Sequence, residues 1–180
     1  MSESSPIVTP RLRLELLLAE TLGLLLTGDT KGAESVQGLD LAGPFLQSLD
    51  DRFLKNQLER MRSRPSGRSW CIRAIVRDED DTVIGHSGFH GPPEDVGRAE
   101  IGYNILEPYR RNGYATEAVQ SLVDWARRRG ERVVYASISP SNFASIGVAT
   151  KLGFRHTGVH RDEIDDEVYV FELDLRSPVA

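Results

Sequence analysis

The chain has 180 residues, with 22 basic and 27 acidic side chains and a formal net charge of −5. This length predicts one domain, 1–180, with a core at 9–175 and flexible termini at 1–8 and 176–180. The acidic balance argues against a general binder of nucleic acid or anionic membranes. The single cysteine, Cys71, excludes an intramolecular disulfide and a cysteine metal cluster.

The N-terminus is polar before any apolar run, without the pattern of a secretory signal. No stretch approaches the roughly 20 apolar residues of a membrane span. These features predict a cytoplasmic protein in a reducing compartment. The histidines have no cysteine partners, so no metal site is expected.

The first third of the chain predicts a strand and two helices. Charged residues alternate with leucine at 11–16, which is typical of a half-buried strand, and 19–26 is apolar enough for a helix. Residues 27–43 are rich in glycine and acidic residues and are predicted to form a loop. An apolar stripe at spacings of three or four predicts one amphipathic helix over 44–64, stopped by Pro65-Ser66-Gly67.

The middle of the chain predicts an antiparallel meander. Two β-rich runs, 70–76 and 83–89, flank four acidic residues and form the expected hairpin. A third strand at 99–105 leads into a helix that is expected to open near Gly113 or Thr116 and to end at Gly130.

The last third completes an alternating α/β order. A strand at 133–138 follows the helix, so a right-handed crossover should make the strands on either side of the helix parallel. A short helix is predicted at 142–152, followed by strands at 154–159 and 168–175. The predicted fold class is α/β (α+β), a mixed sheet with helices on both faces.

The helix opening Arg110-Arg111-Asn112-Gly113-Tyr114-Ala115 has the chemistry of a phosphate site. The first amide N–H groups of a helix, together with its positive dipole end, bind phosphate oxygens. Gly113 lets the backbone approach an anion closely, and two arginines add charge-assisted donors. The same residues also suit an ordinary turn, but the strand before them and the helix after them favour anion binding.

This stretch resembles the acetyl-CoA signature Arg/Gln-x-x-Gly-x-Gly/Ala of the GNAT superfamily of N-acetyltransferases. Downstream, Asn142-Phe143-Ala144-Ser145 and Lys151-Leu152-Gly153-Phe154 resemble the second cofactor-contacting helix of that family and its closing Gly-Phe. The opening TPRLRLELL and the Glu-Ile-Gly-Tyr strand are similar to the branch that includes ribosomal-protein N-terminal (alanine/serine) acetyltransferases. The resemblance covers 9–175 and is weakest at 27–53.

The resemblance implies an acetyl-CoA-dependent enzyme that moves an acetyl group directly to a primary amine, either a protein N-terminus or a small molecule, through a tetrahedral intermediate. It also implies a single-domain GNAT-like fold whose mostly antiparallel sheet is splayed at two parallel strands, commonly beside a bulge, with 104–106 opposite 137–139. The pantetheine arm would run along 103–106 as an extra strand. The predicted cofactor-binding residues are Ile105, Leu106, Arg110, Arg111, Asn112, Gly113, Tyr114, Ala115, Thr116 and Asn142.

Two catalytic roles follow from the same resemblance. A backbone N–H near Ile105 would stabilise the oxyanion, and Glu100 is the first candidate for the carboxylate that removes the proton of the amine. An ordinary strand-end glutamate is the alternative for Glu100. The less favoured candidates for this proton route are Glu94, Asp95, His86 and His90.

The sequence offers several candidates for the proton donor to the departing thiolate. Many family members have a tyrosine seven residues after the asparagine that opens the second helix, and this chain has Ala149 there. Ser145 is predicted to donate to the sulfur, and Tyr135 and Tyr169 are alternatives. Without the tyrosine, a non-catalytic acyl-CoA sensor is the alternative function.

A P-loop phosphotransferase is poorly supported, because the chain lacks Gly-x-x-x-x-Gly-Lys-Ser/Thr. The predicted partners are an amine acceptor and, through edge strands near the C-terminus, a second copy in a homodimer. Nucleic acid and membrane are not expected partners.

Overall fold

Eight strands form a single sheet in the computed structural model of this protein, which describes residues 5–93, 97–161 and 167–176. Their order across the sheet is β1-β2-β3-β4-β5-β6-β8-β7. The strands are β1 (Ile7–Val8), β2 (Leu12–Leu16), β3 (Ile72–Arg77), β4 (Thr82–Phe89), β5 (Arg98–Ile105), β6 (Val133–Ile138), β7 (Arg155–His160) and β8 (Val168–Asp174).

The sheet is mixed and mostly antiparallel, as predicted. The neighbours β5 and β6 run parallel, and all other neighbouring pairs of described strands are antiparallel. The strand that precedes the crossover helix and the strand that follows it are therefore the parallel pair, which confirms the expected parallel pairing.

Six α-helices cover the two faces of this sheet within the described residues. They are α1 (Ala19–Leu26), α2 (Thr30–Gln37), α3 (Pro44–Gln47), α4 (Asp51–Ser63), α5 (Tyr114–Arg128) and α6 (Phe143–Lys151). Short 3-10 helices occur at Pro65–Trp70 and Glu107–Tyr109. None of the described helices is long and apolar enough to cross a membrane.

Two hydrophobic cores lie on opposite faces of the sheet. One contains Ile75 of β3 with the apolar face of α5, and the other contains Ala74 and Val76 of β3 with residues of α1 and α4. Successive side chains of a strand point to opposite faces of the sheet. Neighbouring residues of β3 therefore belong to different cores, one on each face. The helices thus lie on both faces, as the fold class requires.

Three predictions about the N-terminal half are wrong. Residues 27–43 contain α2, which begins at the cap of Asp29, where Oδ1 accepts from Gly32 N at 2.9 Å, and ends at Gly38 with φ 74°. The helix predicted over 44–64 is two helices, because Asp50 caps a new one by accepting from Phe53 N at 2.9 Å. Residues 7–8, assigned to a flexible terminus, form β1 and pair with β2.

The parallel strands part beyond their first residues, and this opening positions the site. Their paired residues are Arg98 with Val133, Ala99 with Val134 and Glu100 with Tyr135, and no later pair of the two strands is joined. The predicted splay is therefore confirmed. The same register, continued along both strands, would set Asn104 opposite residue 139 rather than 137.

The bulge expected beside the opening is not in β5. Its register with β4 is unbroken from Ile101 to Ile105. The irregular pairings of the described strands lie instead between β3 and β4, at Ile75 and Val76, and between β7 and β8, at His156 and Gly158.

Candidate active site

A cleft of about 860 Å³ lies at the opening of the parallel strands, between the end of β5 and the starts of α5 and α6. Most of the residues predicted to bind the cofactor line it. They are Ile105, Arg110, Arg111, Gly113, Tyr114, Ala115, Thr116 and Asn142, and Ser145 lines it as well.

Two of the predicted cofactor-binding residues do not line this cleft. Leu106 is buried in the core on the opposite face, and its N–H donates to the carbonyl of Ile84 at 2.9 Å. The side chain of Asn112 donates to the carbonyls of Tyr109 and Arg110 at 3.2 and 3.0 Å. Asn112 therefore shapes the loop from within, without reaching the cleft.

The loop before α5 exposes uncapped helix amides to the cleft. Arg111 and Gly113 have left-handed φ angles of 64° and 81°, and Gly113 is the N-cap residue, so no side chain caps the 15-residue helix. The amides that follow are available to an anion, and the positive end of the helix dipole adds to the attraction.

The N-terminal segment holds this loop in place. Thr9 Oγ1 donates to Glu117 Oε1 at 2.7 Å, Arg11 Nε donates to Glu117 Oε2 at 2.7 Å, and Arg11 Nη1 donates to the Asn112 carbonyl at 3.1 Å. The guanidinium also lies 4.6 Å from the centre of the Tyr114 ring. Burial raises the pKa of Glu117, but the bonds from Thr9 and Arg11 outweigh it, and the net pKa is lowered.

Arg110 ties the loop to the end of β5. Its Nε donates to the carbonyl of Ile105 at 2.8 Å. The Nη groups of Arg110 and the whole guanidinium of Arg111 have no partner among the described residues. These donors lie in the cleft beside the exposed amides, where phosphate oxygens would accept from them.

The backbone of β5 presents donors to the opening. The carbonyl of Glu100 accepts from His90 N, just after β4, and the N–H of Leu106 donates to Ile84 of β4. Even-numbered residues along β5 therefore bond toward β4. Since alternate backbone groups of a strand point to opposite sides, the N–H groups of Tyr103 and Ile105 point toward β6, where the strands have parted.

Ser145 and Asn142 form the opposite wall of the cleft. Asn142 Oδ1 accepts from Ser145 N at 3.1 Å and caps α6. The Tyr103 hydroxyl reaches across the opening and donates to the Ser145 carbonyl at 3.2 Å. Burial raises the pKa of Tyr103, opposed by this bond.

The side chain of Tyr103 was missed as a functional group by sequence reasoning. The sequence signal that could have identified Tyr103 is its position in β5, two residues before Ile105. The two tyrosines named from sequence lie elsewhere. Tyr135 contacts Glu100, and Tyr169 stacks on His156 with ring centres 4.7 Å apart.

Glu100 does not line the main cleft. It lies in a second cavity of about 290 Å³ with His90 and Tyr135. Its Oε2 is 3.2 Å from His90 Nδ1 and 3.3 Å from the Tyr135 hydroxyl. Burial raises the pKa of Glu100, but hydrogen bonds from His90, Ser137 and Tyr135 outweigh this and lower it to about 2. The carboxylate is thus held ionised.

A third cavity, of about 260 Å³, lies on the α4 side of the sheet, and we call it the acceptor chamber. It is lined by Ser48, Asp50, Phe53, His86, Ser87, Gly88, His90, Gly102 and Tyr103. Gly88 and Gly102 face each other across β4 and β5, and a Cβ at Gly102 would lie 2.7 Å from His90 Nε2. Glycine at 102 therefore leaves room for the imidazole of His90.

His86 is the buried histidine of the acceptor chamber. Its Nε2 is buried without a hydrogen-bond partner. Burial lowers the pKa of His86 to about 4, against a hydrogen bond to the Ser48 backbone. No group of three or more described residues is arranged to hold a metal ion. Glu94 and Asp95, the other named proton acceptors, lie outside the described residues.

A family model described as an acetyltransferase (GNAT) domain matches residues 34–155, more than half of the chain. The chain belongs to the GNAT acetyltransferase family. It is accordingly an acyltransferase, and its acyl donor is acetyl-CoA, as the sequence resemblance implied.

Similar proteins agree with this placement among GNAT acetyltransferases. The uncharacterized N-acetyltransferase p20 of Bacillus licheniformis is 32% identical over 138 residues, covering 73% of this chain and 71% of that protein. A GNAT-family acetyltransferase structure from Bacillus anthracis has a TM-score of 0.65 at 18% identity, covering 96% of this chain and 100% of that chain. The ribosomal L7/L12 alpha-N-protein acetyltransferase RimL, solved with coenzyme A, has a TM-score of 0.67 at 16% identity, covering 94% and 98% of the two chains.

Proposed function

We propose that the protein transfers an acetyl group from acetyl-CoA directly to a primary amine through a tetrahedral intermediate. The observation that carries this proposal is the position of Tyr103, which lines both the large cleft and the acceptor chamber. An acyl donor in the cleft and an amine in the chamber would therefore meet beside this residue, without a covalent enzyme intermediate.

The large cleft fits the acyl donor along its length. The pyrophosphate is placed against the amides that open α5, with Arg110 and Arg111 as charged donors. The pantetheine arm is placed along β5, where the N–H groups of Tyr103 and Ile105 face the opening. The Ile105 N–H is the proposed donor to the oxyanion that forms when the amine attacks the thioester.

We assign His90 as the base that accepts the proton of the amine, and Glu100 as the residue that positions His90. His90 lines both the acceptor chamber and the cavity of Glu100. A carboxylate whose pKa is lowered to about 2 is a poor base near neutral pH. The same carboxylate orients the imidazole through Nδ1. Glu100 thus acts through His90 rather than as the base first expected.

Collapse of the intermediate breaks the C–S bond and leaves a thiolate. Ser145 is proposed to donate a hydrogen bond to this sulfur. It lines the cleft on α6. The Tyr103 hydroxyl lies at the same wall, and burial raises its pKa. Its single proton is donated to the Ser145 carbonyl, so it becomes the second donor to the departing group only when it turns from that carbonyl to the sulfur.

A thiol-release assay with acetyl-CoA, run beside calorimetric titration, tests this function. The acceptors are N-terminal peptides, alkyl polyamines and amino sugars. Turnover with one class supports the transferase and identifies the acceptor as a protein N-terminus or a small-molecule amine. Tight acetyl-CoA binding without turnover on any amine would favour the sensor function instead. The cytoplasmic location and the homodimer stay predictions.

A further inference from the structure

One carboxylate sets the formal charge of the acceptor chamber within its described lining. Asp50 is the only formally charged acid or base among the described lining residues, apart from the two histidines. Its Oδ1 accepts from Phe53 N and so caps α4. The positive end of that helix is therefore already neutralised by Asp50, and Asp51 adds a second negative charge in its first turn.

Lysine and arginine side chains are absent from the described lining of this chamber. Residues 1–4, 94–96, 162–166 and 177–180, which complete the chain, contain no lysine or arginine in the sequence. His86 contributes no charge near neutral pH, because burial lowers its pKa to about 4.

The neighbouring cavity behind His90 carries charges of both signs. It contains Arg60 and Arg98, but Glu100 lines the same cavity. Arg98 is paired with Glu172 at 2.8 Å. Glu100 lies against His90 rather than Arg60, so this neighbouring cavity holds both signs of charge, whereas the charge of Asp50 is opposed in its chamber by the partial positive charge of the α4 N-terminus.

We infer that the acceptor is a cationic primary amine without a carboxylate beside it, such as a peptide N-terminus or an alkylamine, and that Asp50 makes this selection. An ammonium group entering the chamber is attracted by Asp50 and delivered to His90. The carboxylate of a free amino acid would be repelled by Asp50 and would find no lysine or arginine among the described residues that line the chamber. The inference rests on the proposed function of the chamber as the amine site.

The test compares each amino acid with its own amide, which differ by that single carboxylate. Alanine with alaninamide, serine with serinamide and methionine with methioninamide are assayed by thiol release, and acetylated products are identified by mass. The decisive quantity is the amide preference, which is kcat/KM for the amide divided by kcat/KM for the acid. This preference is compared between the wild type and Asp50→Asn. Differences in amine basicity cancel in this comparison, because both enzymes meet the same substrates.

We expect the amide preference to fall by about tenfold in Asp50→Asn, the size of a charge interaction at short range. Asparagine caps helices as well as aspartate does, so α4 is retained. The matched control is Asp29→Asn, a cap of α2 that accepts from Gly32 N and is not among the residues lining the chamber; its ratio should equal that of the wild type.

Two outcomes overturn the inference in different ways. An unchanged ratio in Asp50→Asn, with turnover on both members of each pair, removes Asp50 as the selecting charge while leaving the transferase intact. Absence of turnover on every amide, peptide and alkylamine, with acetyl-CoA still bound in calorimetry, overturns the proposed function together with the inference.

Discussion

Nη2 of Arg11 lies 2.6 Å from Oε2 of Glu117, which joins the N-terminal segment to the first turn of α5. The same guanidinium bonds the carbonyl of Asn112 in the loop that precedes the helix. This ion pair neutralises Glu117 close to the place where the pyrophosphate of the cofactor is expected to bind. Without Arg11, a carboxylate would repel that anion.

Arg11→Met should weaken acetyl-CoA binding by about threefold to tenfold, a modest loss because the ion pair is partly exposed. Calorimetry gives the affinity. S-acetylpantetheine, which has no pyrophosphate, should serve as donor equally well with wild type and variant. The control is Arg13→Met, since Arg13 pairs with Glu15, Asp78 and Asp81 instead. Equal losses for both donors would mean that Arg11 supports only the fold.

Gly113→Ala should reduce acetyl-CoA affinity as well as stability. Gly113 has φ 81°, a conformation that costs an alanine about 1 to 2 kcal/mol. Gly130, at the other end of α5, has φ 83°, and a Cβ added there would meet no atom within 4 Å. Gly130→Ala should therefore show the same loss in the free energy of unfolding with unchanged cofactor affinity. Undiminished affinity in Gly113→Trp would contradict the phosphate site.

Glu100→Gln should remove a stabilisation that depends on pH. The folded-state pKa of Glu100 is lowered to about 2, against about 4.3 in an unfolded chain. An acidic group whose pKa is lowered by folding stabilises the fold fully above its unfolded-state pKa. This contribution is lost as pH falls through its folded-state pKa. The two proteins should thus differ by about 2 to 3 kcal/mol above pH 5 and converge toward pH 2. Denaturant unfolding across this range measures it, and a constant difference would contradict the assignment.

Local signals explain which elements the sequence predicts well. The bounds of α5 follow from an apolar stripe that ends at a left-handed glycine on each side, Gly113 and Gly130. In α2, Ala33 is the single buried residue, so there is no apolar stripe to recognise. Between α3 and α4 the apolar spacing continues through the break, and only the cap at Asp50 marks it.

The same distinction applies to the site. The proposed phosphate loop is contiguous in sequence, so residue types at fixed spacing predict it. The acceptor chamber is assembled from α4, β4 and β5, and the pairing of His90 with Glu100 arises from the register of two strands. Sequence reasoning named both residues as alternatives, because nothing local indicates that they act together.

Ser145→Ala should lower kcat with little change in the KM for acetyl-CoA, because its hydroxyl is proposed to contact the sulfur only as charge develops there. Removal of one hydrogen-bond donor aimed at charge that develops in the transition state lowers kcat by about a hundredfold or more. Steady-state kinetics with a saturating amine measures both constants. Ser121→Ala is the matched control, since Ser121 Oγ donates to the Ala118 carbonyl within α5 and is not among the residues lining the cleft.

Tyr103→Phe, alone and combined with Ser145→Ala, separates the two donors at this wall. If both groups donate to the same thiolate, each single variant leaves the other donor in place, and the double variant should lose more activity than the product of the two single losses. Losses that simply multiply would show independent roles, with Tyr103 acting through its bond to the Ser145 carbonyl. A Tyr103→Phe variant with full activity would leave Ser145 as the donor. This would agree with the presence of Ala149 where many family members have a tyrosine.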